Sequence, residues 1–207
     1  MEKIKKMKKN RIFVRVVYTA EGVCPHSVYP RERSEEIEKC SNPRVRLEKF
    51  LAWEELRYSV EKYLGIPFES ISFSKKENGK WMADKLRFSI SHSDGAIAVA
   101  VGNVNVGVDI ESVRRHISGI ERQVFTAKEH LDFDDVPEEE RDRHIIKIWT
   151  QKESIFKALG KRSFVPREIE TSSYRVRTES IELNGKEFML SVFVPDGETD
   201  VHYEIIK

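Results

Sequence analysis

Val104-Asn105-Val106-Gly107-Val108-Asp109-Ile110-Glu111 alternates apolar with polar or small side chains, which is typical of a half-buried β-strand. Because successive strand side chains point to opposite faces, the valines and Ile110 are expected in the core, while Asp109 and Glu111 share the other face. Gly107 lies on that second face and leaves room for another group to approach closely. Taken alone, the pattern is more often a strand with a solvated acidic face.

A second segment, residues 143–159, is predicted to be a helix that ends at Gly160. Its predicted apolar face consists of Ile145, Ile148, Trp149, Ile155, Phe156 and Leu159. Trp149, Glu153 and Lys157 follow one another at four-residue steps, so they form one stripe along the helix. Glu153 therefore borders the buried face, where a carboxylate needs a compensating charge.

A divalent cation held by Asp109, Glu111 and Glu153 would supply that charge. All-oxygen ligation favours Mg²⁺ over zinc, and Mg²⁺ commonly completes its shell with water and with phosphate oxygens of a substrate. Lys157, one turn beyond Glu153, would then neutralise charge on the same phosphates. The alternative explanation of this helix is a surface Glu–Lys pair, which contributes about 0.2–0.5 kcal/mol.

The remaining chain predicts further strands and helices around these two segments. Strands are expected at residues 11–18, 71–73, 86–91 and 96–101, and in a tail, residues 168–206, with a hairpin at Asn184-Gly185. Helices are expected at residues 47–64 and 123–132, the latter capped by Thr126, while residues 22–46 are mostly loop with a short helix at 34–39. Strands with interspersed helices predict a mixed α+β protein.

The composition fits a globular protein of 207 residues with 39% hydrophobic residues and a formal net charge of +1. Residues 1–11 carry six basic residues and one acidic residue, which leaves −4 for the remainder. The cysteines, Cys24 and Cys40, are expected to be reduced thiols, and neither a signal peptide nor a membrane-spanning run is expected. These features predict a cytoplasmic protein. Nucleic-acid binding is disfavoured, because the basic segment is short and lacks interleaved aromatic residues.

Several polar residues are candidate phosphate ligands. Ser91-His92-Ser93 is expected in a polar turn after a strand, where hydroxyl and imidazole groups would donate to phosphate oxygens. Ordinary turn chemistry explains the serines equally well. Lys80 follows the Asn78-Gly79 turn signal, and Arg44 and Arg46 precede a helix; each taken alone is more often a solvated surface cation.

The chain resembles the Sfp-type 4′-phosphopantetheinyl transferases over residues 45–165. The motifs that carry this resemblance occur in the family's order. They are Asn78-Gly79-Lys80, Ile90-Ser91-His92-Ser93, Gly107-Val108-Asp109-Ile110-Glu111, Phe125 to Glu129, and Trp149-Thr150-Gln151-Lys152-Glu153-Ser154-Ile155-Phe156-Lys157. The two motifs that contain the carboxylates are specific in combination.

The resemblance implies an enzyme that transfers the phosphopantetheine arm of coenzyme A to a serine of an apo carrier protein, requires Mg²⁺ or alternatively Mn²⁺, and releases adenosine 3′,5′-bisphosphate. It implies that Asp109, Glu111 and Glu153 hold the metal and that Lys157 stabilises the transferring phosphate or the leaving group. Lys80 and His92 would contact coenzyme A, with His92 near its 3′-phosphate. Arg46 is the preferred further contact to that phosphate, with Arg44 or Lys49 as alternatives.

The family fold implied by the resemblance is a monomeric pseudo-dimer of two similar α+β halves, with coenzyme A in the cleft between them. The corresponding halves here are residues 1–103 and 104–207. The chain departs from the family at Trp81, where members often have proline, so the local shape of this loop is expected to differ.

Several alternatives stay open at this stage. The base that accepts the serine proton is either Glu153 or a water on the metal. A Mg²⁺-dependent phosphohydrolase and a non-catalytic carrier- or nucleotide-binding module are the rival functions. The carrier is expected to be an acidic helical domain that meets the loop at residues 160–166. Carriers of fatty-acid, polyketide, nonribosomal-peptide and aminoadipate-reductase systems all stay possible. The role of the basic residues 1–11 is likewise open.

Overall fold

The fold of the protein is seen in a computed structural model that describes residues 9–19, 29–77, 79–114 and 119–206. Most of the predicted basic segment, Cys24 and Asn78 lie outside these residues. Helices and sheets are mixed along the chain, which confirms the predicted α+β class. The central part is built in four layers, in the order helix, sheet, sheet, helix.

The strands and helices have the following bounds. The strands are β1 (Asn10–Tyr18), β2 (Phe73–Lys75), β3 (Trp81–Ala83), β4 (Arg87–Ser93), β5 (Ala96–Gly102), β6 (Gly107–Ser112), β7 (Val176–Leu183), β8 (Lys186–Phe193) and β9 (Thr199–Ile206). The α-helices are α1 (Arg31–Glu38), α2 (Pro43–Ser59), α3 (Glu121–Val124), α4 (Ala127–Asp134) and α5 (Arg141–Leu159).

The first sheet has the strand order β4-β5-β1-β9, and its central strand β5 is buried along its whole length. Large and small side chains alternate on β5. Ile97, Val99 and Val101 pack in the core beneath α2, whereas the intervening alanines face the second sheet. This alternation lets the helix pack on bulky side chains while the two sheets approach closely.

The second sheet has the order β6-β8-β7, and its inner face packs against the alanine face of β5. Val108 and Ile110 are fully buried in this core, which confirms the parity predicted for β6. Asp109 and Glu111 consequently lie on the opposite face, which is covered by α5. The hairpin predicted at Asn184-Gly185 joins β7 to β8.

Helix α2 begins at Pro43, earlier than the predicted start at Leu47. The side chain of Asn42 accepts the backbone N–H groups of Arg44 and Val45 at 3.0 and 3.2 Å. Asparagine at the cap followed by proline at the first helical position is a start signal, and the expectation of loop up to residue 46 was wrong because it overlooked that signal. The helix continues as a π-helix, Val60–Leu64, and ends as predicted at Gly65, where φ is +63°.

Other boundaries differ from the predictions. Ser91-His92-Ser93 is not a turn but the end of β4; the turn is Asp94-Gly95, whose φ values of +49° and +92° suit a tight hairpin. The predicted helix at residues 123–132 is two helices, α3 and α4, with Thr126 capping α4 as predicted. Strand β3, which pairs with β2, was not predicted. Strand β6 begins only at Gly107, although Val106 is buried before it.

Helix α5 confirms the predicted segment, but its buried face is more polar than the apolar pattern indicated. Leu159 is 42% exposed, whereas Thr150, Lys152 and Ser154 are fully buried. The helix backbone lies directly on β6: a Cβ built on Gly107 would stand 1.8 Å from the carbonyl oxygen of Ser154. Close approach therefore selects small residues where a longer apolar side chain would otherwise be expected.

The last strand, β9, returns to the first sheet and pairs in parallel with β1. The predicted halves, residues 1–103 and 104–207, meet in the loop between β5 and β6, and β9 crosses from the second half into the first sheet. The internal duplication stays a prediction. In the part of the chain that the structure describes, no helix combines the length and apolarity needed to cross a bilayer.

We predict that Gly107→Ala lowers the free energy of unfolding by about 3 kcal/mol, because the added methyl group forces α5 away from β6. Urea denaturation of the purified variant measures this loss. Gly197→Ala is the control, since the space around Gly197 is open and only its φ of +90° opposes the change, at a cost of about 1 kcal/mol. Equal losses in the two variants would contradict the close contact.

A second prediction concerns pH. Hydrogen bonds from Lys62 and Tyr63, followed by the Arg15 guanidinium, lower the pKa of Glu204 on β9 from 4.5 to about 2. Ionised Glu204 therefore stabilises the fold fully above pH 4.5, and this contribution is lost as the pH falls towards 2. Urea denaturation of wild type and Glu204→Gln should show a stability difference at pH 6 that shrinks at pH 3. The exposed Glu182→Gln serves as control, and a difference that grew on acidification would refute the assignment.

Candidate active site at the junction of the two sheets

The candidate site lies where β4, at the edge of the first sheet, meets β6, at the edge of the second. From Ser89 onwards, every second residue of β4 is a serine that reaches β6. Ser89 accepts the backbone N–H of Val108 at 3.0 Å, Ser91 donates to Asp109 at 2.7 Å, and Ser93 donates to Glu111. The serines therefore join the sheets and orient the carboxylates, a role that the sequence did not reveal.

Asp109 is the most buried of the predicted metal carboxylates, with 3% of its surface exposed. One oxygen, Oδ1, accepts hydrogen bonds from Ser91 and from the Lys157 ammonium, the latter at 2.6 Å. The other oxygen, Oδ2, is buried and has no hydrogen-bond partner among the described residues. An unsatisfied buried carboxylate oxygen is costly, so this atom is suited to bind a cation.

Glu111 and Glu153 lie close enough to Asp109 for their charges to interact. Burial raises the pKa of Glu111, against a hydrogen bond from Ser93, and the charge of Asp109 raises it further. Burial raises the pKa of Glu153 to about 7; Lys157 opposes this shift, while Asp109 and Glu111 add to it. The three carboxylates thus share one partly dehydrated region and repel one another.

The donor set fits a hard divalent cation. Asp109, Glu111 and Glu153 offer carboxylate oxygens, which hard divalent cations prefer, and Oδ2 of Asp109 is unsatisfied. Among the described residues, no three acidic, histidine or cysteine side chains are arranged so that together they could hold a metal ion. Mg²⁺ needs no such set of three, because it commonly binds through one or two carboxylates and completes its shell with water and phosphate.

Lys157 is held at the centre of the junction. Its ammonium donates to Asp109, to Ser91 at 3.1 Å and to the carbonyl oxygen of Val108 at 3.3 Å. Lys80 donates to the backbone carbonyl of Lys157, and burial lowers the pKa of Lys80. The two predicted lysines therefore lie side by side although 77 residues separate them in the sequence.

A cavity of about 350 Å³ opens beside Lys157. Its wall combines aromatic side chains with cationic ones. They include Arg33, Trp53, Lys80, Trp81, His92, Phe156, Lys157 and Lys161. Such a lining suits an anionic ligand with apolar parts. Arg33, on α1, was missed because residues 22–46 were read mostly as loop.

The structure places two of the three predicted coenzyme A contacts in one cavity and the third outside it. Lys80 and His92 both line the cavity, whereas Arg46 is exposed on α2 and does not. Arg44 forms an ion pair with Asp94 at 2.6 Å. Lys49 is near enough to His92 for its charge to lower the imidazole pKa.

A buried ion pair next to the site was also missed. Lys152 is fully buried and Glu129 is 4% exposed, with Nζ 2.5 Å from Oε2. Lys152 also donates to the carbonyl oxygens of Pro166 and Ile169 at 3.0 and 2.8 Å. Lys152 directly precedes Glu153 on α5. Its contacts with Glu129 on α4 and with the segment beyond Gly160 therefore fix the part of the helix that carries Glu153. Because a hydrophobicity pattern predicts that charged residues are exposed, it could not predict that Lys152 and Glu129 are buried.

Comparison with known proteins identifies the segment that carries most of this site. Residues 105–203, which contain β6 and α5, match the model of the 4′-phosphopantetheinyl transferase superfamily. This segment, about half of the chain, is therefore similar to that superfamily. The match confirms the resemblance predicted from the motifs, and its range includes Asp109, Glu111, Glu153 and Lys157.

Several bacterial phosphopantetheinyl transferases are similar to the chain. The enzyme named gsp from Aneurinibacillus migulanus is 35% identical over 112 residues, which are 54% of this chain and 47% of that protein. The enzyme psf-1 from Bacillus pumilus is 29% identical over 51% of this chain and 47% of its own length. Sfp from Bacillus subtilis (strain 168) is 28% identical over 62% and 59% of the two chains. The chain thus spans about half the length of the first two relatives.

We predict that Lys152→Met destabilises the protein by about 3 kcal/mol or more, because Glu129 is left buried without its cation. Urea denaturation measures the loss. Lys147→Met is the matched control, since Lys147 is exposed on the same helix. The double variant Lys152→Met/Glu129→Gln should recover part of the loss, and a Lys152→Met protein as stable as the control would refute the role of the pair.

Proposed function

We propose that this chain transfers the 4′-phosphopantetheine arm of coenzyme A to a serine hydroxyl of an apo carrier protein and releases adenosine 3′,5′-bisphosphate. The observation that carries the proposal is the unsatisfied, buried Oδ2 of Asp109, whose other oxygen accepts a hydrogen bond from Lys157, a residue that lines a cavity with cationic side chains. The superfamily of residues 105–203 supports the same reaction. We also propose that the enzyme is cytoplasmic and monomeric.

Asp109, Glu111 and Glu153 would hold Mg²⁺ or Mn²⁺ in this enzyme. When bound, the metal supplies Lewis-acid polarisation of the phosphate and offsets the charge of the pyrophosphate. Ser91 and Ser93 keep Asp109 and Glu111 in place from β4, so that these carboxylates need little reorganisation on binding a cation.

Coenzyme A would occupy the cavity that Lys80 and His92 line. Lys80 would contact its phosphates, and His92 would lie near the 3′-phosphate. Lys49, which lies near His92, is better placed for that phosphate than Arg46 or Arg44, both of which are exposed and do not line the cavity. The aromatic residues of the cavity would cover the apolar parts of the ligand.

In the transfer step, the carrier serine oxygen forms a bond to the β-phosphorus, and the bond from that phosphorus to the oxygen of adenosine 3′,5′-bisphosphate breaks. Either Glu153 on α5 or a water at the metal site would accept the serine proton. Lys157 offsets the negative charge that develops on the leaving bisphosphate.

The carrier would dock beside the end of α5, at residues 160–166. Lys161 and Arg162 are exposed there, and Lys161 also lines the cavity. Exposed cations next to the cavity suit an acidic helical domain that has to deliver a serine to the site. Fatty-acid, polyketide, nonribosomal-peptide and aminoadipate-reductase carriers are all compatible with this charge.

We predict that the protein, incubated with coenzyme A, Mg²⁺ and a panel of purified apo carriers, adds one phosphopantetheinyl group to at least one of them, as measured by intact mass. Asp109→Asn and Glu153→Gln should each lower the rate about 100-fold or more, because each removes a charged group from the reacting centre. Glu139→Gln is the control, since Glu139 is exposed and lies before α5.

Two results would overturn the proposal. One is the absence of a mass gain on every carrier, with or without Mn²⁺. The other is hydrolysis of coenzyme A without modification of a carrier, which would favour a phosphohydrolase. Full activity of both carboxylate variants would overturn the metal assignment.

A further inference from the structure

A carboxylate, Glu48, is buried behind His92. It lies on the inner face of α2, is 5% exposed, and uses both of its oxygens. Oε1 accepts the backbone N–H of Gly95 at 3.0 Å, and Oε2 lies 3.1 Å from Nδ1 of His92. Arg44 Nε is 3.4 Å from Oε1. Neighbouring buried positions of this helix, such as Phe50 and Ala52, are apolar, so an acid at this place requires an explanation.

The hydrogen bond decides which imidazole nitrogen carries a proton. An ionised carboxylate only accepts hydrogen bonds, so the ring nitrogen that faces Glu48 has to donate. His92 then carries its proton on Nδ1, and Nε2 is left for the cavity that His92 lines. The N–H of Gly95 holds the carboxylate from the hairpin that follows β4, which fixes its direction.

We propose that Glu48 is a positioning residue, which fixes the tautomer of His92 and stabilises its imidazolium when a phosphate group of coenzyme A meets Nε2. The identity of the ligand rests on the proposed function, whereas the tautomer does not. A phosphate accepts hydrogen bonds, so Nε2 has to be protonated to donate to it. Glu48 on the far side of the ring offsets the positive charge that results.

The charges around His92 make this support necessary. Lys49 and Arg44 extend from α2, and Lys157 approaches from α5. Burial lowers the pKa of His92, Glu48 raises it, and Lys49 and Lys157 lower it further. The pKa of His92 is lowered on balance even with Glu48 in place, so the ring of the free protein is favoured as neutral and Glu48 opposes a still larger shift.

Nitrogen NMR of the side chains tests the tautomer directly. Long-range ¹H–¹⁵N correlation spectra distinguish the two neutral forms, and His92→Asn assigns the signals among the six histidines. In the ligand-free wild type we expect the proton on Nδ1. In Glu48→Gln, whose amide NH₂ donates to Nδ1, we expect it on Nε2. A wild-type ring protonated on Nε2, or an unchanged tautomer in the variant, would overturn the proposal.

Calorimetry tests the consequence for binding. Glu48→Gln should weaken coenzyme A about tenfold, as expected for loss of a charge-assisted hydrogen bond, while 3′-dephospho-coenzyme A should bind both proteins alike. The double variant with His92→Asn should bind no more weakly than His92→Asn alone, because Glu48 acts through the ring. Glu54→Gln is the control, since Glu54 pairs with Arg57 elsewhere on α2.

The two measurements separate the possible failures. A coenzyme A affinity unchanged by Glu48→Gln, with normal binding by wild type, overturns the role of Glu48 in binding. The NMR samples contain no coenzyme A, so a tautomer that Glu48→Gln reverses supports the positioning role even where coenzyme A fails to bind. That failure would count against the proposed function alone.

Discussion

The close contact between α5 and β6 is the constraint on which the site depends. Because Gly107 has no side chain, the helix backbone comes within van der Waals distance of the strand. This approach brings Lys157 within 2.6 Å of Asp109, and it places Glu153 where it senses the charges of both strand carboxylates. A larger residue at position 107 would separate the two elements and, with them, the groups whose proximity defines the chemistry.

The site also depends on hydrogen bonds and an ion pair that are buried inside the protein. Where β4 meets β6, the two sheets are joined by serine hydroxyls that bond to the backbone and carboxylates of β6, and α5 is tied to α4 by a fully buried lysine and glutamate. Such contacts are directional, so they fix distances that apolar packing alone would leave adjustable. Loss of either partner of such a contact would leave a buried polar group unpaired and lower the stability of the protein. The residues around the functional carboxylates therefore tolerate little change.

Much of the fold could be predicted because its signals are local. The alternation on β6 gave the buried faces of Val108 and Ile110, and α5 followed from spacing and from Gly160. The role of Ser91 and Ser93 could not be predicted in this way. Each donates to a carboxylate 18 residues away, and the sequence alone does not distinguish such a serine from a turn residue. Lys152, Glu129 and Glu48 were missed for a related reason: whether a charged residue is buried depends on a partner from another element, and hydrophobic periodicity carries no information about that partner.

The parallel pairing of β9 with β1 has a consequence for how the protein is made. Arg15 and Glu204, which form an ion pair across these strands, are 189 residues apart. Strand β1 leaves the ribosome before the other described strands, yet the edge that pairs with β9 has no partner until residues 199–206 have been synthesised. Its exposed backbone groups are a template for other strands during that interval. Contacts of such long range also slow folding, so the first sheet is completed late, after α5 and β6 have had time to meet.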